Sequence, residues 1–411
     1  MKKIILFFLI FAPLIDFTYL SRFTAGPFVI SPNRIFKVLP IVFFVFYYFM
    51  SSRKVFIWKY MFYFMVFSLL STIIGLMPFF YQTVDMYIRL LSSFIFIFWA
   101  GKIVQEDDIY SLLKYLTLIT LVPITLAYLQ FLGYVPYTDF DTIFGTDIGR
   151  VSGGYEKQVA LMSYLIYGFS FSFFSILNFP GIMKKVFYIV FCILCLGVVV
   201  LSSHRASMLI FAVIIFYFLF MYSKKLFVFT GFVFIIIILN NFSLLKEVFV
   251  ISAGIRYGVS SIFRGRFGFW LDYMNRLIGS GIIAVLFGKG NSVLDTNFAQ
   301  HLPYLWNEPH GDYMRILYQY GVTGFILYLI VFVMMIMKSI LYKCHAGNIK
   351  EKLIGDMGII IGLSLLLFSV TIEPTRYPSF WWVYSVIFSF ILVNKSKLHE
   401  NSLHNKPLYT L

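Results

Sequence analysis

The chain has 411 residues, of which 60% are hydrophobic, 21% aromatic and only 12% charged, and its mean hydropathy is +0.87. A soluble domain carries about 25% charged residues, so the composition excludes an ordinary soluble protein. Apolar runs long enough to cross a hydrocarbon core of about 30 Å recur from end to end. They lack the alternation of a β-barrel, so we expect an all-α polytopic membrane protein.

The apolar runs predict about twelve transmembrane helices. Residues 1–20 begin with two lysines but lack a convincing small-residue cleavage site, so we expect an uncleaved first helix. The other spans are predicted at residues 35–50, 60–80, 85–103, 112–133, 159–178, 186–203, 206–222, 226–245, 320–341, 354–371 and 379–394. We expect one membrane domain, 1–411, with a large external loop, 246–319, between spans nine and ten. Its mixture of apolar, arginine and aromatic residues is typical of a folded subdomain rather than of disorder.

Lysines and arginines fall on opposite sides of this predicted domain. Of 21 lysines, all but Lys37, Lys157, Lys246 and Lys289 lie in one set of loops and span ends, which includes both termini. The positive-inside rule makes that set cytoplasmic, and the net charge of +15 is therefore a topology signal rather than a nucleic-acid signal. Of twelve arginines, only Arg53 lies on that side. A guanidinium binds phosphate through two parallel hydrogen bonds, so an arginine-rich outer face favours a phosphate-bearing ligand there. The alternative is pairing with outer carboxylates or lipid headgroups.

Cysteines and cofactor motifs give no further function. Cys192 and Cys195 lie inside a predicted span and Cys344 in a basic loop, which provides no disulfide framework. The sequence shows no metal-ligand spacing, no glycine-rich phosphate loop and no nucleotide fingerprint. We therefore predict no cofactor and no metal, and expect that any transferred group arrives already activated.

The charged motif, residues 306–324, reads WNEPHGDYMRILYQYGVTG and places four ionisable residues within eight positions of a chain in which charge is scarce. Its ionisable residues are Glu308, His310, Asp312 and Arg315, and their spacings of three and four residues predict that Glu308, Asp312 and Arg315 lie on one helical face. It predicts a short polar helix that starts near Pro309 and leads into a span, with its charges at the water boundary. His310 is the first candidate for a general base, because its unperturbed pKa near 6.5 suits removal of a hydroxyl proton. Glu308 and Asp312 are the other catalytic candidates, or they orient the imidazole. A purely structural, hydrogen-bonded histidine is the alternative.

Two smaller patches on the outer side add candidate substrate-binding arginines. In the glycine patch, residues 149–157, backbone N–H groups could approach an anion beside Arg150, although an ordinary turn has the same composition. In the inter-span patch, residues 202–205, Arg205 sits between two predicted spans with almost no loop. An arginine at that depth is costly and needs a partner, either a lipid-linked phosphate or a lipid headgroup.

The arginine–tryptophan patch, residues 264–270, interleaves arginines with aromatic residues. Arg264 and Arg266 could hold a diphosphate while Trp270 stacks on a sugar, and Arg315 of the charged motif is a further binding candidate. An amphipathic helix lying in the membrane interface is the alternative explanation of the same pattern.

The charged motif and the helix after it resemble the signature of the O-antigen polymerase and O-antigen ligase superfamily, H-[NG]-D-Y-x-R-x-L-x-x-x-G-x-x-G. The matching positions are His310, Gly311, Asp312, Tyr313, Arg315, Leu317, Gly321 and Gly324. The order of the other patches is similar too. The similar pieces are Arg150-x-x-Gly153, Ser203-His204-Arg205 with a histidine inserted in an S-R pair, Arg266-x-x-x-Trp270, and Leu286-Phe287-Gly288-Lys289-Gly290. The resemblance covers about residues 150–340, whereas the first 130 are similar only in being helical.

The resemblance implies a metal-independent glycosyltransferase of the GT-C type in the bacterial inner (plasma) membrane, with a periplasmic active site. Its donor would be an undecaprenyl-diphosphate-linked saccharide, and membrane lipids and a chain-length regulator are candidate partners. A polymerase transfers the growing chain onto the next lipid-linked repeat unit, and a ligase transfers the finished chain onto lipid A–core. Asp312 and Arg315 after the histidine favour the polymerase branch.

The resemblance also implies roles for single residues. Arg205, Arg266 and Arg315 would hold the donor diphosphate, and His310 would remove the acceptor proton for direct displacement with inversion. A flippase and a non-catalytic chain-length protein are the alternatives from other classes. Charge gathered in outer loops, rather than along a central passage, favours the enzyme.

Overall fold

The computed structural model describes residues 2–16, 23–25, 28–30, 32–50, 58–74, 80–143, 146–155, 157–202, 204–240, 266–290, 311–371 and 378–404. The helices before the glycine patch are α1 (Lys2–Ile15), α2 (Pro32–Met50), α3 (Lys59–Ile74), α4 (Phe80–Phe94), α5 (Glu106–Ile119) and α6 (Leu121–Phe131). Those after it are α7 (Gln158–Asn178), α8 (Ile182–Leu201), α9 (Arg205–Tyr222), α10 (Lys224–Asn240), α11 (Arg266–Gly279), α12 (Ile282–Phe287), α13 (Asp312–Cys344), α14 (Ile349–Thr371) and α15 (Pro378–His404). The short strands are β1 (Phe23–Ala25), β2 (Phe28–Ile30), β3 (Asp139–Ile143) and β4 (Thr146–Arg150), which form two antiparallel hairpins, β1–β2 and β3–β4.

The expectation of an all-α membrane protein is confirmed. Five helical segments within the described residues are long and apolar enough to cross a membrane: Glu106–Phe131, Gln158–Asn178, Ile182–Leu201, Asp312–Cys344 and Ile349–Val370. The shorter apolar helices are Val38–Phe49, Lys59–Ile73, Ala206–Tyr222 and Ser379–Asn394. The number twelve stays a prediction.

Among the described helices, α7 is buried over most of its length, with residues 160–172 all buried, as expected for a helix surrounded by other helices. Small residues allow this close packing. A Cβ atom at Gly168 would lie 2.8 Å from the ring of Phe191, so α8 approaches the α7 backbone directly. α15 is buried beside it and places Trp381 and Trp382 in the core.

Ion pairs and hydrogen bonds define the two ends of the bundle. At one end Lys2 pairs with Asp108 at 2.8 Å, and Lys350 pairs with Asp107 at 2.5 Å. At the other end Asp16, just after α1, accepts a hydrogen bond of 2.6 Å from Ser379 at the start of α15. The starts of α7, α9 and α13 and the ends of α8 and α14 lie at this second end, which is therefore where the candidate residues can meet.

Candidate functional site

The N-terminal turn of α13 carries a buried ion pair. The helix begins at Asp312 with Gly311 as its N-cap, so the prediction of a start near Pro309 is wrong by three residues. Arg315 donates a hydrogen bond from Nη2 to Oδ1 of Asp312 over 2.7 Å. Arg315 is 8% exposed and Asp312 is 0% exposed. The prediction that Asp312 and Arg315 share one helical face is thus confirmed. Glu308, the third residue of that prediction, lies outside the described residues.

The last turn of α14 forms the wall behind this ion pair. A Cβ atom at Gly311 would lie 2.8 Å from the carbonyl oxygen of Val370, so only glycine fits where these two backbone segments meet. The Tyr313 hydroxyl donates to the carbonyl of Leu366 at 2.9 Å, and the Tyr328 hydroxyl lies 3.2 Å from Oγ of Ser369. These three contacts hold α13 against the end of α14.

The inter-span patch reaches the same turn of α14. The ring centroid of His204 lies 6.4 Å from that of Phe368. His204 is the N-cap of α9, because its Nδ1 accepts from the Ser207 amide at 3.3 Å and lies 2.7 Å from the Ser207 hydroxyl. The histidine that interrupts the S-R pair thus starts the helix and makes Arg205 its first residue. The Arg205 side chain lies outside the described part of the chain.

The glycine patch is held by a residue that the sequence analysis missed. Oε1 of Gln130 accepts from the backbone N–H groups of Ser152 at 3.0 Å and Gly153 at 2.8 Å, and its Nε2 donates to Pro136 at 3.1 Å. Gln130 is fully buried. The expectation that backbone N–H groups of this patch approach an anion is therefore wrong for these two groups. Arg150 is half-buried at the end of β4.

A second missed cluster ties the first helix to the site end of the bundle. The carboxylate of Asp16 accepts from the Tyr164 hydroxyl at 2.5 Å as well as from Ser379. The Tyr155 ring, which follows the glycine patch, lies 5.8 Å from that of Tyr164. Burial raises the pKa of Tyr155 well above its ordinary value, and the nearby charge of Asp16 raises it further. Tyr155 is therefore a neutral phenol at physiological pH.

The arginine–tryptophan patch is attached to α13 one to two turns beyond the ion pair. Tyr273 of α11 packs edge-on against Tyr318, with ring centroids 4.9 Å apart, and Leu277 completes this small cluster. Trp270 lies half-buried in the same helix, one turn before Tyr273. Arg264 and the side chain of Arg266 lie outside the described residues.

Two glycines of the resemblance motifs meet in one backbone crossing. Gly288, after α12, has φ 79° and ψ −178°, and Gly321, inside α13, has φ 65° and ψ −173°. Only glycine adopts this region readily. A Cβ at Gly288 would lie 2.2 Å from the carbonyl oxygen of Gln319, and one at Gly321 would lie 2.5 Å from the carbonyl of Leu286. The L-F-G-x-G piece and the first glycine of the G-x-x-G piece are therefore two halves of one structure.

The break at Gly321 frees carbonyl groups that the crossing then uses. The backbone N–H of Lys289 donates to Tyr318 at 3.0 Å, and that of Gly290 donates to Gln319 at 2.8 Å. From α3, the hydroxyl of Ser71 donates to the same Gln319 carbonyl at 2.9 Å. The crossing fixes α12, and with it α11, to the helix that carries Asp312 and Arg315.

The fold and site define a helical membrane protein with a buried Asp312–Arg315 ion pair at one end of the bundle. Residues 190–329 match the family model Wzy_C, which is described as O-antigen ligase. The matched segment contains the inter-span and arginine–tryptophan patches and the first half of α13. This part of the chain is a domain of that family, which confirms the resemblance to the O-antigen polymerase and ligase superfamily. None of the curated proteins matches the chain.

The family match supports a general enzymatic role in glycosyl transfer with lipid-linked oligosaccharide substrates in a membrane. It does not choose between polymerase and ligase, because the family covers both. The structure brings Asp312 and Arg315 together and places His204 beside the same turn of α14. Glu308 and His310 lie outside the described residues, so their catalytic roles stay predictions.

Proposed function

We propose that this protein is an O-antigen-type polysaccharide polymerase, which transfers a growing glycan from undecaprenyl diphosphate onto the next lipid-linked repeat unit. The observation that carries the proposal is the buried Asp312–Arg315 pair at the start of α13, inside the motif of the polymerase and ligase superfamily. A helix N-terminus favours an anion, and a guanidinium adds a permanent positive charge there. A diphosphate leaving group is the anion that glycosyl transfer from a polyprenyl carrier releases.

The proposed reaction is a single displacement with inversion. The acceptor hydroxyl oxygen attacks the anomeric carbon of the donor sugar while the bond from that carbon to the diphosphate oxygen breaks. The carrier diphosphate leaves with the bonding electron pair, and the hydroxyl proton passes to His310, with Glu308 as the alternative base. Arg205, Arg266 and Arg315 stabilise the negative charge on the leaving group and thereby replace a metal ion.

The remaining candidates bind substrate around this centre. Arg150 and Arg264 contact phosphate groups of the two lipid-linked substrates, and Trp270 stacks on the apolar face of a sugar ring. Trp270 is attached through α11 to the same helix as Arg315, which supports a common site.

Asp312 acts in this proposal as a positioning residue rather than as the base. Its carboxylate is 0% exposed and accepts a charge-assisted hydrogen bond from Arg315 at 2.7 Å. A general base needs an exposed lone pair within reach of the acceptor hydroxyl. Holding the Arg315 guanidinium in one orientation is the role that fits a buried, paired carboxylate.

We also propose the complete topology: twelve spans in the bacterial inner membrane, both termini cytoplasmic, and the active site periplasmic. The chain is then one membrane domain, 1–411, whose external loop, 246–319, belongs to the site. The Lys2–Asp108 and Lys350–Asp107 pairs support it, because they place the N-terminal lysines and the basic loop before α14 at one end, away from Asp312. A chain-length regulator is the proposed protein partner.

The family description makes the ligase reaction the second candidate. Deletion of the gene and gel analysis of the surface polysaccharide separate the two. The proposal predicts lipid A–core that carries a single repeat unit, restored to a ladder by the intact chain. Bare core with long polymer on the carrier lipid would identify a ligase, and bare core with single units retained in the cytoplasm would identify a flippase.

A further inference from the structure

The short helix α12 carries an uncovered apolar face that glycosyl transfer does not explain. Ile282 and Ile283 are 70% and 74% exposed, and Leu286 and Phe287 are also exposed. The opposite face, Ala284 and Val285, packs on the Tyr273–Leu277–Tyr318 cluster. α12 is thus attached to the bundle through Ala284, Val285 and Phe287, and it turns the side chains of Ile282, Ile283 and Leu286 outward. Contiguous large apolar side chains on a surface mark an interaction site.

The depth of α12 is indicated by its contacts with the apolar helix α3. The carbonyl of Phe287 accepts from the Ser71 hydroxyl at 3.2 Å, and the Phe287 ring stacks on Phe67 at 6.0 Å. At a rise of about 1.5 Å per residue, Ser71 and Phe67 lie about 5 and 10 Å inside the Ile74 end of α3. The end of α12 is therefore below the Ile74 end of α3.

Phe287, at the end of α12, lies beside α3, which also has an exposed apolar surface. Leu70 and Ile73 of α3 are large, exposed apolar residues on an apolar helix. Arg276 precedes the apolar segment and Lys289 follows it, so cations flank it at both ends.

We propose that α12 is a membrane-embedded segment of the external loop, whose Ile282, Ile283 and Leu286 insert among the acyl chains of the outer-leaflet phospholipids. An amphipathic segment at the interface enters about 5–10 Å below the headgroups, which agrees with the depth of Phe287 beside α3. The insertion places the substrate-binding helix α11 at the membrane surface, where a polyprenyl-linked substrate presents its diphosphate. The loop is thus divided between the membrane and the periplasm.

The test is site-directed spin labelling of the full chain in phospholipid bilayers, in a background without the exposed Cys344. I283C is the test position, L70C is the lipid-facing reference, and N275C, an exposed polar site on α11, is the matched control. Relaxation is measured with dissolved oxygen, which concentrates in acyl chains, and with a water-soluble nickel chelate.

The proposal predicts that the oxygen-to-nickel accessibility ratio at I283C equals that at L70C and exceeds that at N275C. A ratio at I283C equal to that at N275C would place α12 in water and overturn the proposal. Exclusion of both probes would also overturn it, because the face would then be covered by a second copy, another protein or the rest of the loop. The readout needs no glycosyl transfer, so its failure is distinguishable from failure of the proposed function.

Discussion

Replacement of Gly321 by alanine tests whether the backbone crossing holds the site together. Its φ of 65° and ψ of −173° lie in a region that costs a non-glycine residue about 1–3 kcal/mol. The new Cβ would also lie 2.5 Å from backbone atoms of Leu286, which cannot rotate away as a flexible side chain could. If the two backbone segments moved apart, the hydrogen bonds donated by Lys289 and Gly290 would be lost, each worth about 0.5–1.5 kcal/mol. We therefore expect a loss of about 2–6 kcal/mol in the free energy of unfolding.

The assay is equilibrium unfolding of the purified protein in mixed micelles, together with the amount of polymer formed in cells. The matched control is Gly231→Ala in α10, where the glycine is helical and a Cβ would meet nothing within 4 Å. Alanine there should leave stability unchanged or raise it by up to about 1 kcal/mol, because glycine is the poorer helix former. If Gly321→Ala were as stable as Gly231→Ala, the crossing would not have the role described above.

Three further substitutions probe buried polar contacts. Lys343→Met leaves the Asp356 carboxylate buried without its cation, which lies 2.5 Å away, and should destabilise by about 3 kcal/mol in the same unfolding assay. Lys350→Met, in the exposed pair with Asp107, is its control and should change little; equal losses would refute the distinction. Gln130→Leu leaves two buried amide N–H groups unpaired and should cost about 2 kcal/mol or more, and wild-type stability would contradict the assigned contacts. His204→Ala removes the N-cap of α9 and should cost about 1 kcal/mol, whereas an asparagine, which also caps, should recover most of it.

Local spacing predicted part of the site correctly. Asp312 and Arg315 are three residues apart, and a helix brings such residues together whatever the rest of the fold does. The start of that helix was not predictable from Pro309, because the cap depends on Gly311 fitting against Val370 of another helix. Composition was sufficient for the class of protein, since lipid demands apolar, fully hydrogen-bonded helices.

Contacts between distant parts of the chain were beyond such reasoning. Ser71 lies 216 residues before Phe287 and 248 before Gln319, and a single serine in an apolar helix carries no signal of either contact. Gln130 is equally ordinary in sequence, although it takes the amide groups of the glycine patch. The glycines of the L-F-G-x-G and G-x-x-G pieces were visible, but only the structure shows that each makes room for the other.

The most direct test of the proposed function is reconstitution of the purified protein in phospholipid vesicles with undecaprenyl-diphosphate-linked repeat units and excess EDTA. The wild-type chain should extend the units into a ladder on the carrier lipid. Arg315→Lys keeps a positive charge but loses the planar guanidinium, and we expect its rate to fall about 10²-fold or more. The Lys350→Met variant should polymerise at the wild-type rate. No ladder from a folded wild-type protein, a ladder abolished by EDTA, or undiminished extension by Arg315→Lys would contradict a metal-independent polymerase built around Arg315.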